Sequence, residues 1–251
     1  MIGVPGARRL ILPAAAIAAI LLGTGLTFAL TGRPSASRNP AATAPAPASP
    51  AGAADSGSQD QPRVPRVSLA SVRWSGFYGV ELPVSAQAGP SGTSGGVAIG
   101  FAHTPLGALL AAVNIGVRAN AQWGPRIFTA VIRGQVTGPD AAALLASCQA
   151  AYDQAAQSEG VTGGQPLGTA VVTEQAFRWI TYTPAAAILD LVSAGPGANG
   201  GTVRASVQME IVWDGGEWKV VAPPGGDWGN SAAELSSLTG YTAFPGQGGG
   251  H

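Results

Sequence analysis

A run of 21 consecutive uncharged, mostly apolar residues, 10–30, constrains this 251-residue chain more than any other feature. As a helix rising 1.5 Å per residue, such a run matches the roughly 30 Å hydrocarbon core of a bilayer. Arg8 and Arg9 directly precede it, and the positive-inside bias places them in the cytoplasm. We therefore expect a cytoplasmic N-terminus at 1–9, a transmembrane helix at 10–31, and an extracytoplasmic location for the rest of the chain.

A cleaved secretory signal peptide is the alternative to this anchor, because both begin with basic residues and an apolar core. The apolar run is longer than the ~7–15-residue core of a signal peptide. Ala29 and Thr31 also make a poor small-residue cleavage site. The sequence therefore favours a single-pass anchor in the cell membrane.

The segment that follows, residues 32–66, is typical of a disordered tether. From residue 33 onward it holds seven Pro, nine Ala and five Ser, and it has no aromatic residue. Such a composition cannot bury a hydrophobic core. We therefore place the folded domain at 67–245 and a flexible tail at 246–251.

A net charge of zero hides an asymmetry between these parts. Residues 1–66 carry six Arg and two Asp, whereas residues 67–251 carry seven basic and eleven acidic residues. The folded part is mildly acidic and its basic residues do not cluster, which disfavours nucleic-acid binding. One cysteine, Cys148, and two histidines disfavour a metal cluster, so we expect neither metal nor cofactor.

The hydrophobic period changes once within the folded part, from helical to strand-like. Three helices are predicted by start signals followed by apolar residues at helical spacing: Thr104-Pro105, Gly124-Pro125 and Gly138-Pro139-Asp140. After Gly168 the period becomes two, which predicts strands at 177–182, 186–193, 203–213 and 218–221. Helices followed by antiparallel strands indicate an α+β domain.

Three further segments give local predictions. Residues 67–83 are expected to form a strand or an extended entry segment ending at Pro83, and the glycine stretch at 89–96 is expected to be a flexible loop. Ser231 and Glu234 form a capping box, which predicts a short final helix ended by Gly240.

The order of these elements, with the hairpin Trp-Asp-Gly-Gly-Glu-Trp-Lys-Val at 213–220, resembles nuclear transport factor 2-like domains. These include the SnoaL-like and ketosteroid-isomerase-like domains. The resemblance covers roughly residues 102–222. It implies a cone-shaped α+β fold, in which N-terminal helices pack on a curved antiparallel sheet.

The wider pattern, at 100–125 and 220–231, resembles membrane-anchored proteins of actinobacterial mobile elements. Their layout is similar to that of TcpC and VirB-type conjugation channel subunits: a short cytoplasmic N-terminus, one membrane helix and an outer nuclear transport factor 2-like domain. This resemblance implies a non-catalytic scaffold in a conjugation or secretion-type envelope complex. Its partners would be other proteins or a second copy of itself.

The isomerase-like relatives imply an alternative, a small-ligand-binding or isomerase- or hydratase-like enzyme domain. Such enzymes use a carboxylate base and oxyanion donors in an apolar pocket. The candidates here are Tyr152, Asp153, Tyr182, Asp190 and Glu210. Asp190 either faces inward with Ile188 and Val192, or faces outward from a strand whose core face is Leu189 and Leu191.

Aromatic residues in Gly/Pro-rich segments are the candidates for protein contacts. Trp74 and Trp228, with Asp227 beside the latter, are either interface anchors or residues packed onto the domain. Trp123, Trp213 and Trp218 are predicted core residues, and at least one of the last two must be buried. Cys148 lies on an apolar helix stripe, which favours a small buried hydrophobe over a nucleophile.

Overall fold

A computed structural model of the protein describes residues 64–197 and 201–246. The predicted membrane helix at 10–31 and nearly all of the predicted tether at 32–66 lie outside these residues, as does the predicted tail after residue 246. Within the two described ranges, no helix is both long and apolar enough to cross a bilayer. Three α-helices pack against a mostly antiparallel sheet, which confirms the predicted α+β class.

Two short hairpins precede the helices. The first joins β1 (Arg73–Phe77) to β2 (Val80–Val84), and the second joins β3 (Gly92–Ser94) to β4 (Val97–Ile99). The predicted strand or extended segment at 67–83 is therefore two strands joined by a turn, and the prediction of a flexible loop at 89–96 is wrong. Two consecutive residues at positive φ close each turn, a geometry that matches the natural twist of a hairpin.

Helices begin at all three predicted start signals. They are α1 (Pro105–Arg118), α2 (Pro125–Gln135) and α3 (Ala141–Glu159). The Thr104 side chain accepts a hydrogen bond from the backbone N–H of Gly107, as expected of an N-cap. Gly160 ends α3 in the left-handed conformation, with a φ of 69°.

The main sheet has seven strands among the described residues. They are β5 (Val136–Thr137), β6 (Thr173–Tyr182), β7 (Ala186–Pro196), β8 (Thr202–Asp214), β9 (Glu217–Val221), β10 (Ala232–Glu234) and β11 (Thr242–Ala243). Their spatial order is β11-β6-β7-β8-β9-β5, and β10 also pairs with β8. All pairs are antiparallel except β5 with β9.

The predicted final helix is wrong. The residues after Asp227 form one 3-10 turn, Trp228–Ser231, and then enter β10. β10 pairs with the part of β8 around Ser206, where β9 does not reach. Pairing satisfies backbone groups that would otherwise form an open sheet edge, and it outweighs the capping signal.

The helix α1 lies at the centre of the core. Every residue from Gly107 to Arg118 is buried, because α1 contacts β8 and β9 on one side and β2 and β4 on the other. The contact with the sheet is close: a Cβ atom on Gly116 would lie 2.8 Å from the terminal methyl of Met209. Trp123, Trp218 and Phe128 are among the largest fully buried side chains of this core.

Candidate functional site

The residues predicted to line an enzyme pocket are separated in the fold. Asp190 pairs with Arg178 on β6, whereas Tyr182 pairs with Ala187, and positions 187 and 190 lie on opposite faces of β7. Glu210 is exposed, and Tyr152 is buried on α3 with its hydroxyl donating to the Gln165 carbonyl at 2.8 Å. These side chains do not converge on one cavity.

Asp190 faces away from the helices, which agrees with the sequence alternative in which Leu189 and Leu191 form the core face of the strand. It is nevertheless only 6% exposed, because the C-terminal segment covers it. The Arg178 guanidinium lies 2.5 Å from the Asp190 carboxylate, and the Tyr241 hydroxyl donates to the same oxygen at 3.3 Å. Arg178 also stacks over the Tyr241 ring at 4.6 Å. This cluster fastens the C-terminal segment to the outer face of the sheet.

The predicted interaction residues are occupied by contacts within the domain. Trp228 is 3% exposed, so the packing alternative holds for it and its ring is not available to a partner. The Asp227 carboxylate accepts the backbone N–H of Gly229 at 2.8 Å and caps the 3-10 turn. Trp74 is half-buried and packs edge-on against Phe244, with ring centroids 5.7 Å apart.

Cys148 is 2% exposed and its thiol contacts the Ala119 carbonyl, which confirms the buried-hydrophobe prediction. Burial raises the pKa of this thiol to about 12, so it is protonated at neutral pH. In the part of the chain that the structure describes, no group of three His, Cys, Asp or Glu side chains is placed to hold a metal ion.

Glu174 is a buried carboxyl that the sequence pattern did not indicate. Glu174 on β6 is 2% exposed and accepts one hydrogen bond, 2.8 Å from the Ser193 hydroxyl on β7. Its second oxygen, Oε1, has no hydrogen-bond partner among the described residues. Burial raises the pKa of Glu174 to about 7, and the Ser193 hydrogen bond lowers it by less.

A surface groove of about 340 Å³ is the candidate functional site. Five segments of the chain form it: the β1–β2 turn, the β3–β4 turn, the 3-10 turn before α2, the first turn of α2, and the loop after α3. The lining residues are Phe77, Tyr78, Gly95, Gly96, Trp123, Arg126, Ile127, Gly164, Gln165 and Pro166. We call this site the aromatic groove.

The floor consists of the exposed ring of Tyr78 and the half-buried ring of Phe77, both packed on the buried ring of Trp123. Tyr78 stacks on Trp123 with ring centroids 5.7 Å apart and planes at 25°, and Phe77 meets Trp123 edge-on at 5.1 Å. The Trp123 indole N–H donates to the Val117 carbonyl, which fixes the ring against α1. Trp123 is itself only 1% exposed, so the surface that a ligand can reach is the exposed ring of Tyr78 and the exposed part of Phe77, both packed on this buried indole.

Tyr78 holds a backbone conformation that a bulky residue rarely adopts. Its φ is 48°, and the residue is 44% exposed. The following Gly79, at φ 91°, allows the close approach: a Cβ there would lie 2.6 Å from the Ala170 carbonyl. A strained aromatic residue displayed at a groove is an observation that points to function, since strain of this kind costs about 1–3 kcal/mol and concentrates at functional sites.

Arg118 supports the groove from below. Its guanidinium lies 4.1 Å from the centre of the Phe77 ring and donates to the Gly96 carbonyl at 3.4 Å. Burial lowers the pKa of Arg118 to about 10, so it stays charged at neutral pH. One side chain thus joins the β1–β2 turn to the β3–β4 turn.

The chain belongs to a family described as a domain of unknown function (DUF8175), whose model matches residues 35–243. The match begins before the first described residue, so it includes much of the Pro/Ala-rich segment as well as the fold. No curated protein and no solved structure matches the chain.

Proposed function

We propose that this protein is a non-catalytic scaffold subunit of an envelope complex, of the conjugation or secretion type, anchored by a single membrane helix at 10–31. Its N-terminus lies in the cytoplasm, and its folded part is an extracytoplasmic, nuclear transport factor 2-like domain. The apolar run with Arg8 and Arg9 before it supports the anchor and its orientation. The Pro/Ala-rich segment supports a reach beyond the bilayer surface.

The aromatic groove is the observation that carries the binding role. The exposed ring of Tyr78, which stacks on the buried Trp123, suits an extended partner segment that contains proline, because pyrrolidine rings stack on aromatic planes and the polyproline II backbone is already ordered. The rim of the groove has no side chains at three glycines, so that a peptide chain can lie along it: Gly95, Gly96 and Gly164. Arg126 is the exposed cation at the rim. We infer that the partner presents proline followed within a few residues by an acidic residue.

The same structure gives less support to the enzyme alternative. Tyr182 lies on the opposite face of the sheet from Asp190 and Glu210, and Tyr152 lies on α3. Asp190 is already paired with Arg178. Large side chains such as Trp218 are fully buried in the core of the domain, whereas the aromatic groove lies on its surface.

The groove can be tested through a substitution at Tyr78. We expect Tyr78→Asn to fold stably, because Asn-Gly favours positive φ in a two-residue hairpin turn. The probe is Gln165→Cys on the groove rim, labelled in spheroplasts with a membrane-impermeant maleimide that carries a photo-crosslinker. Illumination is expected to give defined complexes of higher mass, and Tyr78→Asn to reduce their yield at least fivefold.

Ile180→Thr is the matched control, because Ile180 is 39% exposed on β6 and does not line the groove. It should leave the yield of complexes unchanged. Labelling that requires cell lysis would contradict the extracytoplasmic location. Equal yields from Tyr78→Asn and the parent protein would contradict the use of the groove.

A further inference from the structure

The chain itself carries the chemistry that the aromatic groove is suited to bind. Residues 45–50 read Pro-Ala-Pro-Ala-Ser-Pro, and the first acidic residue of the chain, Asp55, follows five residues later. Alternating proline and alanine favour the polyproline II conformation, and alanine side chains are small enough to lie on glycine walls.

Charge complementarity fixes the direction in which this segment would lie along the groove. Arg126 is exposed and forms no ion pair with any described residue. It is also the one charged residue among those that line the groove. A carboxylate following a proline segment therefore meets a cation at the rim, which is an arrangement that sets the register of binding.

The length of the chain permits this contact. At about 3.1 Å per residue, the 14 residue steps from Pro50 to Val64 can span about 43 Å. A folded unit of about 180 residues has a radius of gyration of about 16 Å, which corresponds to a diameter of about 40 Å. A segment tethered at this distance has an effective concentration on the order of 1 mM. If the groove binds this segment with a Kd of about 0.1 mM, occupied grooves would outnumber empty ones by about ten to one.

We propose that residues 45–50 of the same chain occupy the aromatic groove, with Asp55 facing Arg126, until a partner segment of the same chemistry displaces them. This inference rests on the proposed function, because it assigns a regulation to the same docking surface. Self-docking makes the free protein a weak binder. It also couples partner binding to release of the tether, and hence to the distance between the domain and the membrane.

Disulfide formation in the full-length protein tests this contact. Ala48→Cys is combined with Gln165→Cys on the groove rim, and in a second protein with Glu210→Cys, which is exposed on the outer face of the sheet. The native Cys148 is buried and does not compete. Under mild oxidation, we expect the Gln165→Cys protein to form an intrachain disulfide at least ten times faster than the Glu210→Cys protein.

Replacing Pro45, Pro47 and Pro50 by alanine should abolish this rate difference. Equal rates at the two positions would overturn the proposal, and so would disulfides that join two chains. The outcomes separate this inference from the proposed function. If the cross-linked complexes depend on Tyr78 but no disulfide forms preferentially, the groove binds partners and not the chain's own segment. If the disulfide forms preferentially but the yield of complexes does not depend on Tyr78, self-docking is supported and the binding of partners at the groove is rejected.

Discussion

Replacing Glu174 by glutamine is expected to stabilise the protein at pH 8 by about 3 kcal/mol, and to remove most of the pH dependence of its stability between pH 4.5 and 7. Burial raises the pKa of this carboxyl from 4.5 to about 7 in the folded state. The folded protein therefore binds a proton at Glu174 more tightly than the unfolded chain does. The stability that this proton supplies is complete below pH 4.5 and is lost as the pH rises through about 7.

Glutamine keeps the size of the side chain and can still accept the Ser193 hydrogen bond, but it cannot ionise. The measurement is denaturant unfolding of both proteins from pH 4 to pH 8. Glu210→Gln serves as the control, because this exposed carboxyl has no burial to relieve. Parallel stability curves for Glu174→Gln and the parent would show that Glu174 ionises without penalty in the folded state.

Trp218→Ala is expected to cost about 3–5 kcal/mol, a large part of the ~5–15 kcal/mol that is typical of a domain. Trp218 is 0% exposed, and its indole N–H donates to the Ala102 carbonyl at 2.9 Å. That bond ties β9 to the segment just before α1. The loss therefore combines a large cavity with an unpaired carbonyl.

Trp213 provides the matched control, since it pairs with Trp218 across the hairpin but is only half-buried. We expect Trp213→Ala to cost less than half as much in the free energy of unfolding, measured by denaturant titration. Trp228→Ala should resemble Trp218→Ala more closely, because Trp228 is 3% exposed. A cost below about 1 kcal/mol for Trp218→Ala would mean that the hairpin does not belong to the core.

The helices and long strands were predictable because local chemistry determined them. Thr104 and the prolines at the helix starts act within one turn, and the period of two persists along β8. The final helix was not predictable in the same way. Its capping signal is local, but β10 forms through pairing with β8, some 27 residues away in the chain.

The early hairpins were missed although one signal was present. Tyr78-Gly79 separates two runs with β-branched or aromatic residues, a pattern that indicates a two-residue turn. Glu174 was harder to find. A bulge near Gln175 breaks the alternation of β6, so the sequence does not reveal which face the carboxyl occupies.

The candidate site could not be predicted as a whole. Its floor joins Tyr78 to Trp123, which are 45 residues apart, and its rim adds residues from three other segments. Each segment by itself is a glycine-rich turn or the start of a helix. Two aromatic residues in Gly/Pro-rich segments were the predicted protein contacts, but both pack within the domain: Trp74 and Trp228.

Binding of a free peptide to the aromatic groove tests the central claim most directly. The protein is the full chain in detergent, with Pro45, Pro47 and Pro50 replaced by alanine so that its own segment does not compete. The titrant is a synthetic peptide of residues 43–56, followed by calorimetry. We predict saturable binding at one site, and a dissociation constant up to about tenfold larger when Tyr78→Asn is added, since one ring stack is worth up to about 1.5 kcal/mol. Equal binding by both proteins, or no binding by either, would contradict the claim that this groove recognises proline-containing segments.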